Sequence, residues 1–413
     1  MADRPPVTGP KNEFPIGATV TLEQLEHDPH PVLAQLRSSE PVSWLPALNG
    51  WLVTRHDLAV QTMRDATTFT VDDPRFSTAQ VVGPSMLSLD GADHVRHRAP
   101  FTAPFRPRAV KERFAQAAAT EAERLIDGFA DAGQAELRRA FAGPLAASIM
   151  ARALGLEQAE VQPMLDWYDG IVAAVTAITA GEHLPARGRD AFQALRTRLQ
   201  AVIANDHELL GTAAAHSDLS HDQIVSNAAI LLFGGIETTE GMITNALMYV
   251  LEHPDALAAA ARDSRSLDAV IDESLRLEPA AAVVDRYATA DVTVHGAHIR
   301  RGDLVRVSIA GANRDPAVFD DPDAFNPGRA RARRHLAFAQ GPHVCLGIHL
   351  ARLEARAGLT TLSQRLPGLR LDPGHPSRVE GLVFRKPPTL HARWNRARDL
   401  PGDRRPEHSP ARR

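Results

Sequence analysis

The chain of 413 residues contains a single cysteine, Cys345, and the ten residues at positions 338–347 constrain its fold more than any other segment. They read Phe-Ala-Gln-Gly-Pro-His-Val-Cys-Leu-Gly. Gly341 can adopt a positive φ, which permits a tight loop, and Gly347 has no Cβ to obstruct a flat ligand against the backbone. A helix is predicted from Leu346 onward, and a helix N-terminus favours thiolate over thiol. The segment therefore predicts a reactive or metal-binding loop that suits a large planar ligand.

Three interpretations of this cysteine can be compared. A buried lone cysteine is often an inert small hydrophobe, and a cysteine with a nearby histidine can be a nucleophile. The order Phe338, Gly341, Cys345, Gly347 resembles the haem-ligand loop of the cytochrome P450 family. A ten-residue pattern is far more specific than a short motif. The resemblance implies that Cys345 is the thiolate ligand of a haem b iron, with Phe338 and Gly347 against the haem. Ala339 replaces a second glycine of many relatives, a departure of one methyl group.

The resemblance covers residues from about 14 to about 394. It implies a mainly α-helical fold with a small β-rich portion, the cytochrome P450 fold, in one domain over residues 1–395. A composition of 44% hydrophobic and 23% charged residues is that of an ordinary soluble globular protein. Residues 396–413 are rich in Arg, Pro and Asp without periodicity, which predicts a disordered basic tail.

Charge and cysteine content exclude several classes of protein. A net charge of −4 argues against nucleic-acid binding, and one cysteine excludes an intrachain disulfide framework. The first twenty residues hold no apolar run long enough for a signal peptide or a membrane anchor. We therefore expect a cytoplasmic protein with no membrane partner.

His94 and Arg98 lie four residues apart, and therefore on one face of a predicted helix. Taken alone, such a pair is usually a solvated surface feature. The resemblance implies instead that both bind the haem propionates, together with Arg286 and His343. A dianionic cofactor edge needs several fixed donors, and arginine supplies them in a rigid fork.

A long helix is predicted to begin at a possible capping box of Ser220 and Gln223 and to run to about Glu252, just before a proline. At 1.5 Å per residue it would be about 48 Å long, enough to cross the whole domain. Two glycines in its interior, Gly234 and Gly235, favour a local kink with freed backbone groups.

The two glycines precede Glu237 and Thr238. Thr238 alone could simply bond back to the carbonyl four residues earlier. The resemblance implies the oxygen-binding motif of the family, in which Gly234 and Gly235 lie beside the cofactor. Thr238 and Glu237 would then deliver protons to bound dioxygen.

Glu273 and Arg276 are three residues apart on a helix predicted over residues 266–277. An exposed pair of this kind contributes only a few tenths of a kcal/mol. The resemblance implies a buried network with Arg329, whose role is structural. Short strands are predicted at residues 41–45, 51–54, 292–294 and 304–309, the first two joined through Asn49-Gly50.

The resemblance implies a haem-thiolate monooxygenase that activates dioxygen and hydroxylates an apolar small molecule in secondary metabolism. Two alternatives remain: a peroxygenase that uses hydrogen peroxide, and a catalytically silent haem-fold protein that activates a partner enzyme. The irregular stretch 71–89 would close over the substrate, although an ordinary surface loop would look the same. Pocket residues expected from position in the family are Val82, Met86, Leu87, Ile230, Ala282, Val283, Val284, Val383 and Phe384.

The sequence shows no flavin or nicotinamide fingerprint, so the electrons must come from a separate protein. The expected partners are a ferredoxin and its reductase. Five basic residues are predicted to cluster on the cysteine side of the haem and attract an acidic ferredoxin: Arg106, Arg108, Lys111, Arg352 and Arg356. A solvated helix face is the competing interpretation of these charges.

Overall fold

Helices form most of the architecture. The computed structural model describes residues 13–156, 161–179, 183–205 and 209–396, so the predicted basic tail lies outside the described residues beyond Arg396. The α-helices are α1 Leu22–His27, α2 His30–Ser39, α3 His56–Arg64, α4 Ser77–Val82, α5 Gly91–Thr102, α6 Pro107–Asp127, α7 Gly143–Ala153, α8 Val161–Thr179, α9 Ala186–Asn205, α10 Leu209–Ala215, α11 His221–Glu252, α12 Pro254–Arg262, α13 Ser264–Leu277, α14 Ile309–Ala312 and α15 Ile348–Arg365.

The strands form three small sheets. They are β1 Val42–Leu45, β2 Gly50–Val53, β3 Phe69–Thr70, β4 Gln134–Glu136, β5 Val283–Ala288, β6 Val292–Val294, β7 Ala297–Ile299, β8 Leu304–Ser308, β9 Arg370–Leu371 and β10 His391–Arg393. The largest sheet has the order β1-β2-β8-β5-β3, with β2 and β8 parallel. The predicted hairpin is confirmed: β1 and β2 are antiparallel, and Asn49 before β2 has a φ of 45°.

Helix α11 is the central element. Its predicted capping box is confirmed, because Ser220 accepts from the Gln223 N–H while the Gln223 side chain accepts from the Ser220 N–H. The helix remains one α-helical element through Gly234 and Gly235 up to Glu252. It packs against α7, α8, α9, α13 and α15, and nearly all its residues are buried. A helix apolar on all sides is one that other helices surround.

Glu273 and Arg276 on α13 are fully buried and joined by two hydrogen bonds of 2.8 Å. Arg329 donates Nε to Glu273 Oε1 at 3.0 Å, and the Asn326 N–H reaches the same oxygen at 3.0 Å. The remaining Arg276 donors bond to the carbonyls of Asn313, Pro322 and Ala324. A buried carboxylate thereby holds α13 to the chain segment that leads into the cysteine loop.

Among the described residues, no helix combines the length and the apolar character that crossing a lipid bilayer requires.

Arg329→Leu should lower the free energy of unfolding by about 3–5 kcal/mol, because it leaves the buried carboxylate of Glu273 with one cation fewer. Denaturant unfolding measures this loss. Arg356→Leu is the matched control, since Arg356 pairs with Asp268 on the surface with 47% of its side chain exposed, and should cost at most about 1 kcal/mol. Equal losses in the two variants would contradict the buried-network account.

Candidate functional site

A cavity lies between the cysteine loop and the middle of α11. Its volume is about 320 Å³, at the lower end of the roughly 300–1,000 Å³ of ordinary ligand pockets. Cys345 and Phe338 line it on one side, and Gly234, Gly235 and Thr238 line it on the other. The cavity therefore has the size of a ligand site, and its two walls are the cysteine loop and α11.

The thiol of Cys345 is open to this cavity and enclosed by protein elsewhere. Burial raises the pKa of Cys345, opposed by N–H donors of Gly347 and Ile348 and by the charge of Arg98. Helix α15 begins at Ile348, two residues later than predicted. The helix terminus favours thiolate, as expected, but burial outweighs it in the protein alone. A bound metal cation would reverse this balance, because a coordinating thiol is deprotonated.

The loop before Cys345 depends on two residues with positive φ. Gly341 has a φ of 76°, and a Cβ there would lie 2.6 Å from the carbonyl oxygen of Met63. Ala339 has a φ of 58°, a conformation that costs a residue with a Cβ about 1–2 kcal/mol. The replacement of glycine by Ala339 therefore strains the backbone as well as adding a methyl group. The loop is closed where the Cys345 N–H donates to the Phe338 carbonyl at 2.9 Å.

Arg98, Arg286 and His343 converge on one rim of the cavity. Arg286 is buried and donates to the Asp285 carbonyl at 2.8 Å, and half-buried Arg98 donates to the Val344 carbonyl at 2.6 Å. Neither guanidinium has a hydrogen-bonded carboxylate among the described residues. Burial lowers the pKa of both. Two desolvated cations without a bonded anion make this rim suited to an anionic ligand.

His94 is not among the residues that line this rim, so its predicted contact with the propionates stays a prediction. It is buried beside His343, with the two ring centroids 4.4 Å apart. Its Nε2 has no hydrogen-bond partner among the described residues. Burial, then the charges of His343 and Arg98, lower the pKa of His94 to about 4. His343 itself bonds through Nε2 to Asp90 Oδ1 at 2.8 Å.

The two glycines of α11 have different environments. A Cβ at Gly234 would meet nothing within 4 Å, whereas one at Gly235 would lie 2.4 Å from Met150 Sδ on α7. Gly234 thus leaves space in the cavity, while Gly235 permits close packing of α7. Thr238 lines the cavity and donates its hydroxyl to the Gly234 carbonyl at 2.5 Å. Thr238 therefore makes the helical hydrogen bond of the plain interpretation and also lines the cavity.

Glu237 is not among the residues that line the cavity. It is buried on another face of α11, where it pairs with Lys386 Nζ at 2.8 Å and accepts from the Tyr168 hydroxyl. Lys386 also pairs with buried Glu240, which lies 3.3 Å from Arg138. Burial raises the pKa of Glu237, although Lys386 opposes this. The carboxylate therefore belongs to a charged cluster beside the cavity.

Seven of the nine predicted pocket residues line the cavity: Met86, Leu87, Ile230, Val283, Val284, Val383 and Phe384. Two do not, and their assignment is corrected. Val82, at the end of α4, packs into the main helical core. Ala282 faces a different core cluster with Leu36 and Leu45, because successive residues of an extended chain point to opposite sides. Ala281 takes its place at the cavity.

Several residues at the site were missed by sequence reasoning. Asp90 precedes α5 in a typical N-cap position, yet its carboxylate bonds to His343, Thr70 and the Val71 N–H. Burial raises the pKa of Asp90, but these hydrogen bonds dominate and lower it to about 2. Lys386 and Tyr168 lie far along the chain from Glu237, so no local pattern indicated that they would meet.

Comparison with known proteins gives consistent matches. The cytochrome P450 profile matches residues 189–368. The chain is 33% identical to the 20-oxo-5-O-mycaminosyltylactone 23-monooxygenase of Streptomyces fradiae, over 82% of each chain. It is 31% identical to the cytochrome P450 monooxygenase PikC of Streptomyces venezuelae, over 90% of this chain and 92% of that protein.

Among solved structures, P450BioI in complex with an acyl carrier protein carrying hexadec-9Z-enoic acid has a TM-score of 0.81 and 26% identity. The match covers 90% of this chain and 100% of that one. The similar proteins named above as monooxygenases match 82% and 90% of the chain. The chain therefore belongs to the cytochrome P450 family and is a monooxygenase with a haem-thiolate cofactor.

Proposed function

We propose that Cys345 is the axial ligand of haem b and that the chain hydroxylates an apolar small molecule. The observation that carries this proposal is the cavity, which is lined by the Cys345 thiol on one wall and by Thr238, in the middle of α11, on the other. When bound, a haem iron with a thiolate ligand activates dioxygen for insertion of one oxygen atom into a substrate. The protein's tasks are to bind the cofactor, exclude water and deliver protons.

The residues at the rim fit the cofactor. Arg98 and Arg286 would bind the haem propionates, because both are desolvated cations that lack a bonded carboxylate among the described residues. His343, held by Asp90, would be a third donor, and His94 beside it would support its ring. The space at Gly234 and Gly347, where no Cβ projects, would admit the flat macrocycle.

Cys345→Ala should abolish the strongly red-shifted Soret band that reduced protein of this family shows with carbon monoxide, because the thiolate ligand is removed. Difference spectroscopy of the purified holoprotein measures this band. Thr102→Ala is a control that keeps the thiolate, since among the described residues this hydroxyl bonds only to the Arg98 carbonyl in its own helix. A red-shifted band that survived in Cys345→Ala would reject the ligand assignment.

Proton delivery is proposed to divide between Thr238 and Glu237. Thr238 faces the cavity and can turn its hydroxyl from the Gly234 carbonyl towards a bound ligand. Glu237 pairs with Lys386, which also pairs with Glu240, and this charged cluster reaches the surface at Arg139, whose side chain is 46% exposed. Water along the cluster would carry the proton outward, because an arginine does not release one. A carboxyl whose pKa burial raises can hold a proton and pass it on.

Thr238→Ala should still consume electrons and oxygen but release mostly hydrogen peroxide, because the hydroxyl that guides the proton is lost. Glu237→Gln should slow turnover and introduce a solvent isotope effect. Product formed per electron consumed is the measurement. Thr244→Ala is the matched control, because Thr244 is a buried threonine of α11 that bonds back to the Glu240 carbonyl and is not among the residues that line the cavity. Unchanged coupling in Thr238→Ala would leave that residue only its helical hydrogen bond.

The substrate is proposed to be an apolar natural product. The cavity walls supplied by Met86, Ile230, Val383 and Phe384 offer dispersion contacts and few polar groups. The similar proteins include an enzyme named as a mycaminosyltylactone 23-monooxygenase. An apolar compound of the size of the cavity would bind by displacing water from these walls.

The electron donor is proposed to be an acidic ferredoxin that is itself reduced by a ferredoxin reductase. The structure modifies the expected docking surface, because Arg352 pairs with Asp272 and Arg356 with Asp268 on α13. Arg106 and Lys111 remain as exposed cations at the start of α6. These two, rather than the arginines of α15, would steer an acidic partner.

Reduction of the protein by an acidic ferredoxin should slow as ionic strength rises, and Lys111→Gln should lower the rate at low salt by a few fold. Stopped-flow measurement of the reduction rate tests both. Arg187→Gln, an exposed arginine on α9, which packs against α8 and α11, should have no effect. A rate that does not respond to salt would reject electrostatic docking.

A further inference from the structure

We propose that Asn227 is a positioning residue that sets the substrate-facing wall of the cavity, and that neutral His97 holds its side chain in the required orientation. The inference rests on the proposed function, since it assigns the substrate to the part of the cavity lined by Met86 and Leu87. It concerns a hydrogen-bonded cluster behind that wall, outside the groups that bind the cofactor.

Asn227 is fully buried in the first half of α11 and bonds to three different segments. Its Oδ1 accepts the Met86 N–H at 2.8 Å. Its Nδ2 donates to the Gln223 carbonyl at 2.8 Å and lies 3.1 Å from Nδ1 of His97 on α5. One amide thus joins α11, α5 and the segment between α4 and α5.

Two of these partners fix the orientation of the amide. The Met86 N–H can only donate, and the Gln223 carbonyl can only accept, so the oxygen of Asn227 must face Met86. The nitrogen then faces His97, and Nδ1 of His97 has to accept. A doubly protonated imidazole has no acceptor, so the cluster requires the neutral form of His97.

The charges around His97 agree with this requirement. With Nδ1 as the acceptor, neutral His97 carries its proton on Nε2, so Arg96 Nη2, which lies 3.3 Å from Nε2, does not bond to it and donates to Asp93 Oδ1 instead. Burial and then the charge of Arg96 lower the pKa of His97. The opposing carboxylates are Asp93 on α5 and Asp218, which precedes α11, and their side chains are 64% and 74% exposed. Water screens both carboxylates, so they oppose the effect weakly.

The segment held by Asn227 is short and internally rigid. Gly83 has a φ of 84°, and a Cβ there would lie 3.1 Å from Ser226 Oγ on α11. Ser85 and Ser88 close a turn, with the Ser88 N–H 3.0 Å from the Ser85 carbonyl. Met86 lies inside this turn and contributes to the cavity wall. The Asn227–Met86 bond therefore sets how far the whole turn extends over the cavity.

The hydrogen bonds of this cluster determine how the affinity for long ligands changes with pH. Above the pKa of His97 the imidazole accepts from Asn227 and the wall is held. As the pH falls through that pKa, Nδ1 becomes a donor and opposes the Asn227 amide. If the amide then rotated, its nitrogen would face the Met86 N–H. Either arrangement loses at least one hydrogen bond of the cluster, so the wall is held less firmly and long ligands should bind less tightly in acid.

Two triazoles that ligate haem iron test the proposal in the holoprotein. The ring of each protonates only in strong acid. N-octyltriazole carries a chain that reaches the wall, and N-methyltriazole does not. Asn227→Leu should lower the affinity ratio of the octyl to the methyl compound by about tenfold, measured from the shift of the Soret band. An unchanged ratio would overturn the proposal.

Asn245→Leu is the matched control. Asn245 is an equally buried amide on α11, but it donates to the carbonyls of Glu278 and Arg385, away from the cavity wall. This variant should lose stability while the octyl-to-methyl ratio stays at the wild-type value. A ratio that fell equally in both variants would show a general loosening of α11 and overturn the specific role of Asn227.

His97→Asn provides a second test that does not require the Asn227 variant to fold. The shorter amide places an oxygen near the position of Nδ1 and does not titrate. The octyl-to-methyl ratio should fall towards acid pH in the wild type and stay flat in His97→Asn. Parallel pH profiles would overturn the role of His97. If neither triazole shifted the Soret band, the proposed function itself would fail, which is a distinct outcome.

Discussion

The structure depends on the requirement that polar side chains buried along α11 find partners. A helix surrounded by other helices gains from apolar contacts, and an unpaired amide or carboxylate inside it would cost several kcal/mol. Asn227, Glu237, Glu240 and Asn245 are all buried there. Each is paired with a different part of the chain: the turn at Met86, α8, the C-terminal segment, and the end of α13. These pairs fix the elements that form the cavity around the helix.

The cavity lining combines cations with apolar side chains. Arg98 and Arg286, which have no bonded carboxylate among the described residues, share the cavity lining with apolar side chains that include Met150, Met242 and Leu275. A ligand with an anionic edge and an apolar body would have one favourable orientation in such a space. Because the protein sets this orientation before binding, a flat ligand could occupy the space between the cysteine loop and α11 without further rearrangement.

Some features were predictable because they are local. Glycine at position 341 is required by a φ of 76° within its own loop, and a capping box needs only residues three positions apart. Cys345, the Glu237–Thr238 pair and the Glu-x-x-Arg pair are short sequence patterns that resemble motifs of the family. The predicted long helix and the hairpin at Asn49 followed from the same short-range rules.

The sequence by itself determined the family, the mainly helical fold, the candidate ligand Cys345 and seven of the nine predicted pocket residues. Only the tertiary structure decided which polar groups meet. Glu237 faces Lys386 rather than the cavity, Arg352 and Arg356 are paired with α13, and His94 lies beside His343. Val82 and Ala282 likewise turn into the core. The physical reason is that the direction of a side chain and the identity of a distant partner depend on how helices pack, which spacing along the chain does not specify.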